Sequence, residues 1–299
     1  MKRAVSVSIG SSKRDKAVEI ELLGERVRLE RIGTDGDMEK AARMYQELDG
    51  KVDAFGVGGA DLGVLVDQKL YPLFSVLPMV RFIRKTPVVD GSGLKNTLES
   101  RLAQFIDQRL GEYVKVRRAL VTSGADRWGM AMSFYEAGYE CVFGDLMFAL
   151  GLPFPLYTKR SLKVLAAILM PIAGRVPFKW VYPTGEKQEA RTPKWTKYYD
   201  WATVIAGDAH YIKHYMPDKL PGKVVVTNTT TPDDVEIFRK AEVKYLVTST
   251  PRLEGRSFGT NMMEAALVAA SGKGRPLTYD ELDEMLSRLG LEPQLEELN

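Results

Sequence analysis

The sequence predicts an α/β protein. An N-terminal α/β domain, residues 1–112, precedes a Rossmann-like, doubly wound parallel sheet, residues 113–275, and a C-terminal helix and tail, 276–299. Three observations predict this. From Lys115 onward, short apolar runs alternate with helix-like segments at the spacing of βαβ units. Those runs end in small polar residues (TSG, GD, AGD, TNTTT, TSTP), the composition expected of the carboxyl edge of an open parallel sheet. The first 33 residues hold Val- and Ile-rich runs separated by Ser, Gly and Lys, which predicts strands in the first unit.

RAVSVSIG (3–10), AVEIELLG (17–24) and RVRLERIG (26–33) read as strands. MEKAARMYQEL (38–48) reads as a helix with Asp37 as its N-cap. VDAFGVGGADLG (52–63) is a short strand running into glycines, and GVLVDQKLYPLF (63–74) a hairpin turning at Asp67-Gln68. VLPMVRFIRK (76–85) reads as helical, and 86–110 as strand, polar turn and one long amphipathic helix. In the second unit the strands are 116–124, 139–145, 202–208, 223–231 and 243–251, with helices at 125–138, 210–216, 232–241 and 260–271. A last amphipathic helix covers 278–290 and leads to a polar tail. Residues 151–200 form an insertion too long for a plain crossover. It holds an apolar helix near 159–174 that reads as buried, then the polar aromatic stretch with Tyr182, Thr184, Glu186 and Lys187.

The 299 residues suffice for one large or two medium domains. A net charge of +3 without a long basic run argues against a nucleic-acid partner. The single cysteine, Cys141, excludes a disulfide framework and fits a reducing cytoplasm. The start, MKRAVSVSIGSSKRDK, has no signal-like apolar run, and LKVLAAILMPIA (162–173) falls short of the roughly 20 residues that span a bilayer. No membrane association is expected.

The stretch ALVTSGADRWGMAMSFYEAGYECVFGD (119–145) has the order of a nucleotide site. A pyrophosphate is held by free backbone N–H groups at a helix N-terminus, and glycines let it approach. Gly124 and Gly129 flank the turn, with Ser123 before it, and Asp145 ends the next strand, where it would accept ribose hydroxyls. Asp126, Arg127 and Trp128 fill the turn, so the three-glycine fingerprint is absent. The alternative is that the glycines only permit close helix–sheet packing and Asp145 caps a helix. Thr227, Asn228 and Thr229, at the end of another strand, are further candidates for cofactor contact.

Residues 116–271 resemble the NAD(P) domain of the shikimate/quinate dehydrogenase superfamily. The resemblance is carried by KVVVTNTTTPDDVEIFRKAEVKYLVTSTPRLEGRSFGTNMMEAAL: strand, helix, strand, and a loop into a Met-bearing helix. The whole chain also resembles bacterial proteins labelled quinate 5-dehydrogenase. The resemblance implies NAD or NADP as cofactor, with Asp145 favouring NAD, a hydroxylated and carboxylated substrate in an interdomain cleft, and a homodimer. That family handles the hydroxyl proton with a lysine–aspartate pair, its lysine in an Asn-Val-Thr-x-Pro-x-Lys motif. This chain lacks the motif and the GAGG phosphate turn.

VVDGSGLKNTLES (88–100) holds the nearest chemistry. Lys95 would be the base if burial and the helix's positive end lowered its pKa, with Asp90 orienting it. Asp90-Gly91-Ser92-Gly93 ahead of a helix is also an anion site in its own right. Ser92, Asn96, Asp61 in GVGGADLG, His210 and Arg256 are the substrate-binding candidates. His210 and His214 share a helix face near Asp208, but no third strong ligand follows, so no metal is predicted. Three functions compete: an NAD(P)-dependent oxidoreductase on a small hydroxylated or carboxylated metabolite, a non-redox binding or regulatory protein for a nucleotide or sugar phosphate, and a transferase using a nucleotide-activated donor.

Overall fold

The computed structural model describes residues 1–176, 191–250, 252–253, 256–257 and 259–299. The expectations for Tyr182, Thr184, Glu186 and Lys187, and for the side chain of Arg256, fall outside the described residues.

Two doubly wound sheets build the protein. In the first, β1 (Lys2–Ser8), β2 (Lys16–Leu22), β3 (Glu25–Gly33), β4 (Ala54–Gly58) and β7 (Val88–Val89) lie in the order β2-β3-β1-β4-β7. All neighbours are parallel except β2 on β3, a hairpin. The burial of β1 and β4 on both faces follows from their apolar runs. One face carries α1 (Met38–Leu48), whose N-cap Asp37 accepts from the Lys40 N–H at 2.9 Å. The hairpin β5 (Gly63–Val66) and β6 (Lys69–Pro72) turns at Asp67-Gln68 as expected, with Asp67 at φ +58.

The second sheet comprises β8 (Arg118–Val121), β9 (Glu140–Phe143), β10 (Val204–Ala206), β11 (Val224–Thr227), β12 (Tyr245–Thr248) and β15 (Gln294–Glu297), in the order β15-β12-β11-β10-β8-β9. Its first five strands are parallel, and β15 pairs antiparallel with β12. Alternate residues serve opposite faces: Ala119 and Val121 pack beneath α3 (Leu102–Leu110) and α4 (Trp128–Glu136), while Leu120 joins the layer of α5 (Asp145–Leu150), α7 (Thr196–Trp201), α8 (Ala209–Tyr215) and α9 (Pro232–Lys240). The strand order reverses at β8 and β10. That is the switch point at which such sheets leave a crevice beyond their carboxyl ends.

Chain order and spatial order part company after β12. A short pair, β13 (Arg252–Leu253) and β14 (Arg256–Ser257), leads to α10 (Thr260–Ser271), which packs on β1, β3 and β4 of the first sheet. The helix α11 (Tyr279–Arg288) joins it there before β15 returns to the second sheet. The segment 260–275, grouped by sequence with the Rossmann-like unit, therefore serves the other sheet.

Four local expectations change. The helix expected over 76–85 shrinks to a 3-10 turn, Leu77–Val80, because Pro78 lacks an N–H and the Asp49 carboxylate takes the N–H groups of Arg84, Lys85 and Thr86. The long helix after β7 is two, α2 (Ser92–Ser100) and α3, broken at Arg101, whose guanidinium reaches Asp283 and Ser287 on α11. The helix α6 (Lys159–Ala173) buries Leu162 and Ala166 but leaves Val164, Ile168 and Ile172 more than half exposed, so it is not the buried helix expected. The polar tail also supplies a strand, β15, whose exposed residues give no alternating apolar signal.

Candidate functional site

The helix α2 connects the two sheets. Its N-terminus follows β7, and its length packs against α4, α10 and α11. Gly91 starts it at φ +92, and a Cβ there would stand 2.4 Å from the Asn261 backbone nitrogen, so only glycine lets α10 come this close. Gly129 does the same for α4, where a Cβ would lie 2.6 Å from the Asn96 carbonyl oxygen. Asn96 itself is buried, accepts from the Gly129 N–H at 3.1 Å and donates to the Ser92 carbonyl at 2.9 Å.

This packing sets Lys95 between the two carboxyl edges. Its Nζ lies 3.7 Å from Asp61 Oδ2, in the loop after β4, and 3.8 Å from Asp126 Oδ1, in the turn after β8. Burial works to lower the Lys95 pKa, but Asp126 and Asp61 outweigh it and hold the ammonium above its ordinary value. The lowered pKa expected of Lys95 as a base is therefore overturned: Lys95 is a proton-bearing cation. Burial, against the pull of Lys95 and with the repulsion of Asp126 and Asp90, raises Asp61 to about 6. Lys95 holds Asp126 below the usual carboxylate range. Asp90, expected to orient Lys95, instead accepts from the N–H groups of Leu62 at 2.6 Å and Ser92 at 2.9 Å, and from the Ser92 hydroxyl at 2.5 Å. Asp61 takes the place of Asp90 beside the lysine.

Beside Lys95 runs a second, buried ion network. Arg127, 5% exposed at its side chain, pairs with Glu99 on α2 and, at 2.8 Å, with Asp208 at the end of β10. Burial opposes the charge on Arg127, but Glu99, Asp208 and Asp126 keep its pKa above the ordinary arginine value. Asp208 also caps α8 through the His210 N–H at 2.9 Å. His210 is half-buried beside this cap. Among the described residues, Glu99 Oε2 and Arg127 Nε are buried with no hydrogen-bond partner, as are the hydroxyls of Thr122, Ser123 and Thr250 at the carboxyl ends of β8 and β12. Thr227 is buried and bonded to Asn228 at 3.2 Å, while Thr229 is exposed in the following loop.

Both anion sites expected from sequence are filled by the protein's own carboxylates. Asp145 accepts from Gly124 N–H at 3.0 Å and Ala125 N–H at 2.8 Å. Burial, only partly offset by these bonds, raises it to about 6. A Cβ on Gly124 would meet Leu162 at 2.9 Å and Phe143 at 3.1 Å, so the glycine serves packing. The N–H pair and the ribose-facing carboxylate expected of a dinucleotide site are thus engaged with each other, and the turn does not fit a pyrophosphate. At α2, Glu264 accepts from the Leu94 N–H at 3.0 Å, and burial raises its pKa to about 7.

Asp126, Arg127, Glu99 and Glu264 escaped the sequence reading as site residues. The available signals were a charged pair inside a strand-to-helix turn and two glutamates on apolar faces of helices. Among the described residues, no cluster of histidine, cysteine and carboxylates has the makings of a metal site. A groove of about 870 Å³ lies elsewhere, between the β5–β6 hairpin and α6, where Asp67 pairs with Lys163 at 2.6 Å. It is open and carries none of the interdomain network.

A family model described as Domain of unknown function (DUF8754) matches residues 93–298. The chain belongs to that family. A second model, Domain of unknown function (DUF8753), matches residues 3–90. The DUF8754 segment supplies Lys95, Glu99, Asp126, Arg127 and Asp208, and the DUF8753 segment supplies Asp61, so the ion network spans both. No curated protein matches. Solved structures similar to the chain include an NAD-dependent malic enzyme from Thermotoga maritima, 12% identical, covering 95% of this chain and 84% of that one at a TM-score of 0.39. An Entamoeba histolytica malic enzyme is 11% identical over 88% of this chain and 62% of that one, at 0.36. A periplasmic ribose ABC transporter from Conexibacter woesei is 12% identical over 96% and 94%, also at 0.36. Likenesses this loose do not extend to function. Among the described residues, no helix is long and apolar enough to cross a membrane.

Proposed function

We propose that this chain binds a small hydroxylated metabolite in the crevice between its two sheets, gripped by Lys95, Asp61 and Asp126. One observation carries the reading: a single ammonium on α2 stands within 4 Å of carboxylates from the carboxyl edges of both sheets, where open α/β sheets hold their ligands. Solvent reaches both carboxylates, at 30% and 48% side-chain exposure. The unpartnered hydroxyls of Thr122, Ser123 and Thr250 on the same edge support it, because buried polar groups are normally satisfied. Calorimetric titration with hydroxylated metabolites, for the native chain and Lys95→Met, tests it. Binding by the native chain and its loss in the variant is the expected result. Equal affinity in the two would move the site away from Lys95.

A second reading, an NAD(P)-dependent oxidoreductase, is favoured by the Lys95–Asp61 pair. A protonated lysine donating to a substrate oxygen, beside a carboxylate that titrates near 6, is a workable proton-handling pair. The engaged 124–125 turn counts against it. Titration with NAD, NADP and AMP in parallel separates the readings: NAD bound well above AMP favours the dehydrogenase, and no binding of the three removes it.

A further inference from the structure

Two arginines converge on one glycine at the carboxyl edge of the first sheet. Gly10 follows β1, the middle strand, which has β3 on one side and β4 on the other. A Cβ built on Gly10 would stand 3.0 Å from Arg14 Nη2, 3.1 Å from Arg31 Nη2 and 3.3 Å from Ser8 Oγ. The two guanidinium nitrogens are therefore no further apart than the first two distances laid end to end.

Like charges repel at this range, so each must be held by something. Arg31, on β3, is held by the protein. Its Nη1 donates to the Ser11 carbonyl and to Asp15 Oδ1, both at 3.0 Å, and its Nη2 donates to Ser8 Oγ at 3.1 Å. Arg14 ends the 3-10 turn Ser12–Arg14 and is exposed, and its side chain makes no hydrogen bond or ion pair with a described residue. Burial and the Arg14 charge lower the Arg31 pKa, and Asp15 and Asp35 do not make up the difference. Ser8, 3% exposed, accepts from the Gly10 N–H at 3.1 Å as well as from Arg31, and its own hydroxyl proton has no acceptor among the described residues.

Two guanidinium groups and a hydroxyl thus donate around one glycine. An anion relieves the repulsion between the arginines, where a neutral group would not. A phosphate group offers three terminal oxygens, enough for both arginines and the hydroxyl, and a carboxylate offers two. Gly59, in the loop after β4, adjoins the same spot: at φ +79, its Cβ would lie 3.4 Å from the Gly10 nitrogen and 3.4 Å from Ser8 Oγ. The carboxyl end of a central parallel strand is where open α/β sheets take their ligands.

We propose that Arg14, Arg31 and Ser8 form a binding site for a phosphate group, carried by a small phosphorylated metabolite or present as free phosphate. The site lies in the DUF8753 segment and does not depend on the reading given for Lys95, Asp61 and Asp126.

The test is calorimetric titration of the full chain with inorganic phosphate, ribose 5-phosphate and acetate at one fixed ionic strength. Phosphate or ribose 5-phosphate is expected to bind at least tenfold more tightly than acetate. Tighter binding of ribose 5-phosphate assigns the site to a phosphorylated metabolite, and tighter binding of phosphate assigns it to the free ion. Arg14→Gln is expected to weaken the binding at least tenfold with an unchanged circular dichroism spectrum. Lys51→Gln, which removes an exposed cation ahead of β4 at the opposite edge of the sheet, is expected to leave it unchanged. Equal weakening by the two variants would reduce the effect to general surface charge and overturn the site. Binding that Arg14→Gln does not alter, acetate bound as tightly as either phosphate compound, or no binding of phosphate and ribose 5-phosphate would overturn it too.

Discussion

The Lys95 ammonium lies 3.7 Å from the Asp61 carboxylate, a contact between the helix that joins the two sheets and the loop that leaves β4. It is one of the attractions that restrain the Asp61 pKa, which burial and neighbouring carboxylates still raise to about 6. Replacing Lys95 by Met removes that restraint. The Asp61 side-chain carboxyl resonance, followed by NMR across pH, is expected to show a midpoint above that of the native chain in the variant. A midpoint unchanged or lowered would mean that Lys95 does not act on Asp61.

Arg127 is the buried cation of the second network. Its removal leaves Glu99, which is fully buried, without the opposite charge that hydrogen-bonds it. Arg127→Met is expected to destabilise the protein by about 3–5 kcal/mol in urea unfolding. The double variant Arg127→Met/Glu99→Gln should recover part of that loss, because the isolated charge is gone. Additive losses would show that the two residues are not coupled.

Asp145 tests whether the 124–129 turn is a structural device. Asp145→Ala strips the Gly124 and Ala125 N–H groups of their acceptor and is expected to cost about 1–3 kcal/mol. Asp145→Asn can keep one acceptor oxygen and removes a carboxylate that burial makes costly to ionise, so it should stay closer to the native stability above pH 6. Alanine and asparagine variants of equal, native-like stability would show that the turn does not depend on the carboxylate.

Asp145 and Glu264 also set a pH dependence. Burial raises them to about 6 and about 7. Both are harder to ionise folded than unfolded. Their contribution to stability is therefore complete below the unfolded-state value near 4 and is lost as pH rises through 6 and 7. Unfolding free energy is expected to fall between about pH 4 and pH 7. In Glu264→Gln the upper part of that fall should flatten. A native curve that rises over the same range would contradict the burial of these groups.

The parallel strands and most helices of the fold are legible in the sequence because each is short, apolar and closed by turn residues. The N-caps Asp37 and Asp208 sit at helix starts, one step before their first helical residues. The network was half legible. Lys95 and Asp61 were visible as chemistry, but their pairing depends on α2 lying across both sheets, which no local pattern states. Asp145 stands where a ribose acceptor would stand and has the right residue type. Only the hydrogen bonds to Gly124 and Ala125 show that it serves the turn instead. The placement of α10 was illegible for the same reason: its period marks a buried helix, not the sheet that buries it.

The route of α10 back to the first sheet has a consequence for how the protein is made on the ribosome. Ala4, Leu22, Val27, Leu29 and Ala54 are synthesised early, and the helix that buries their face begins only at Thr260. At roughly 5–20 residues per second the wait is on the order of ten to fifty seconds. The second sheet gains no head start, because its edge strand β15 follows α10 and α11 in the chain. A nascent chain halted before Thr260 therefore exposes apolar surface on the first sheet and an unpaired edge on the second, and neither half reaches a finished fold until α10 and β15 have been made.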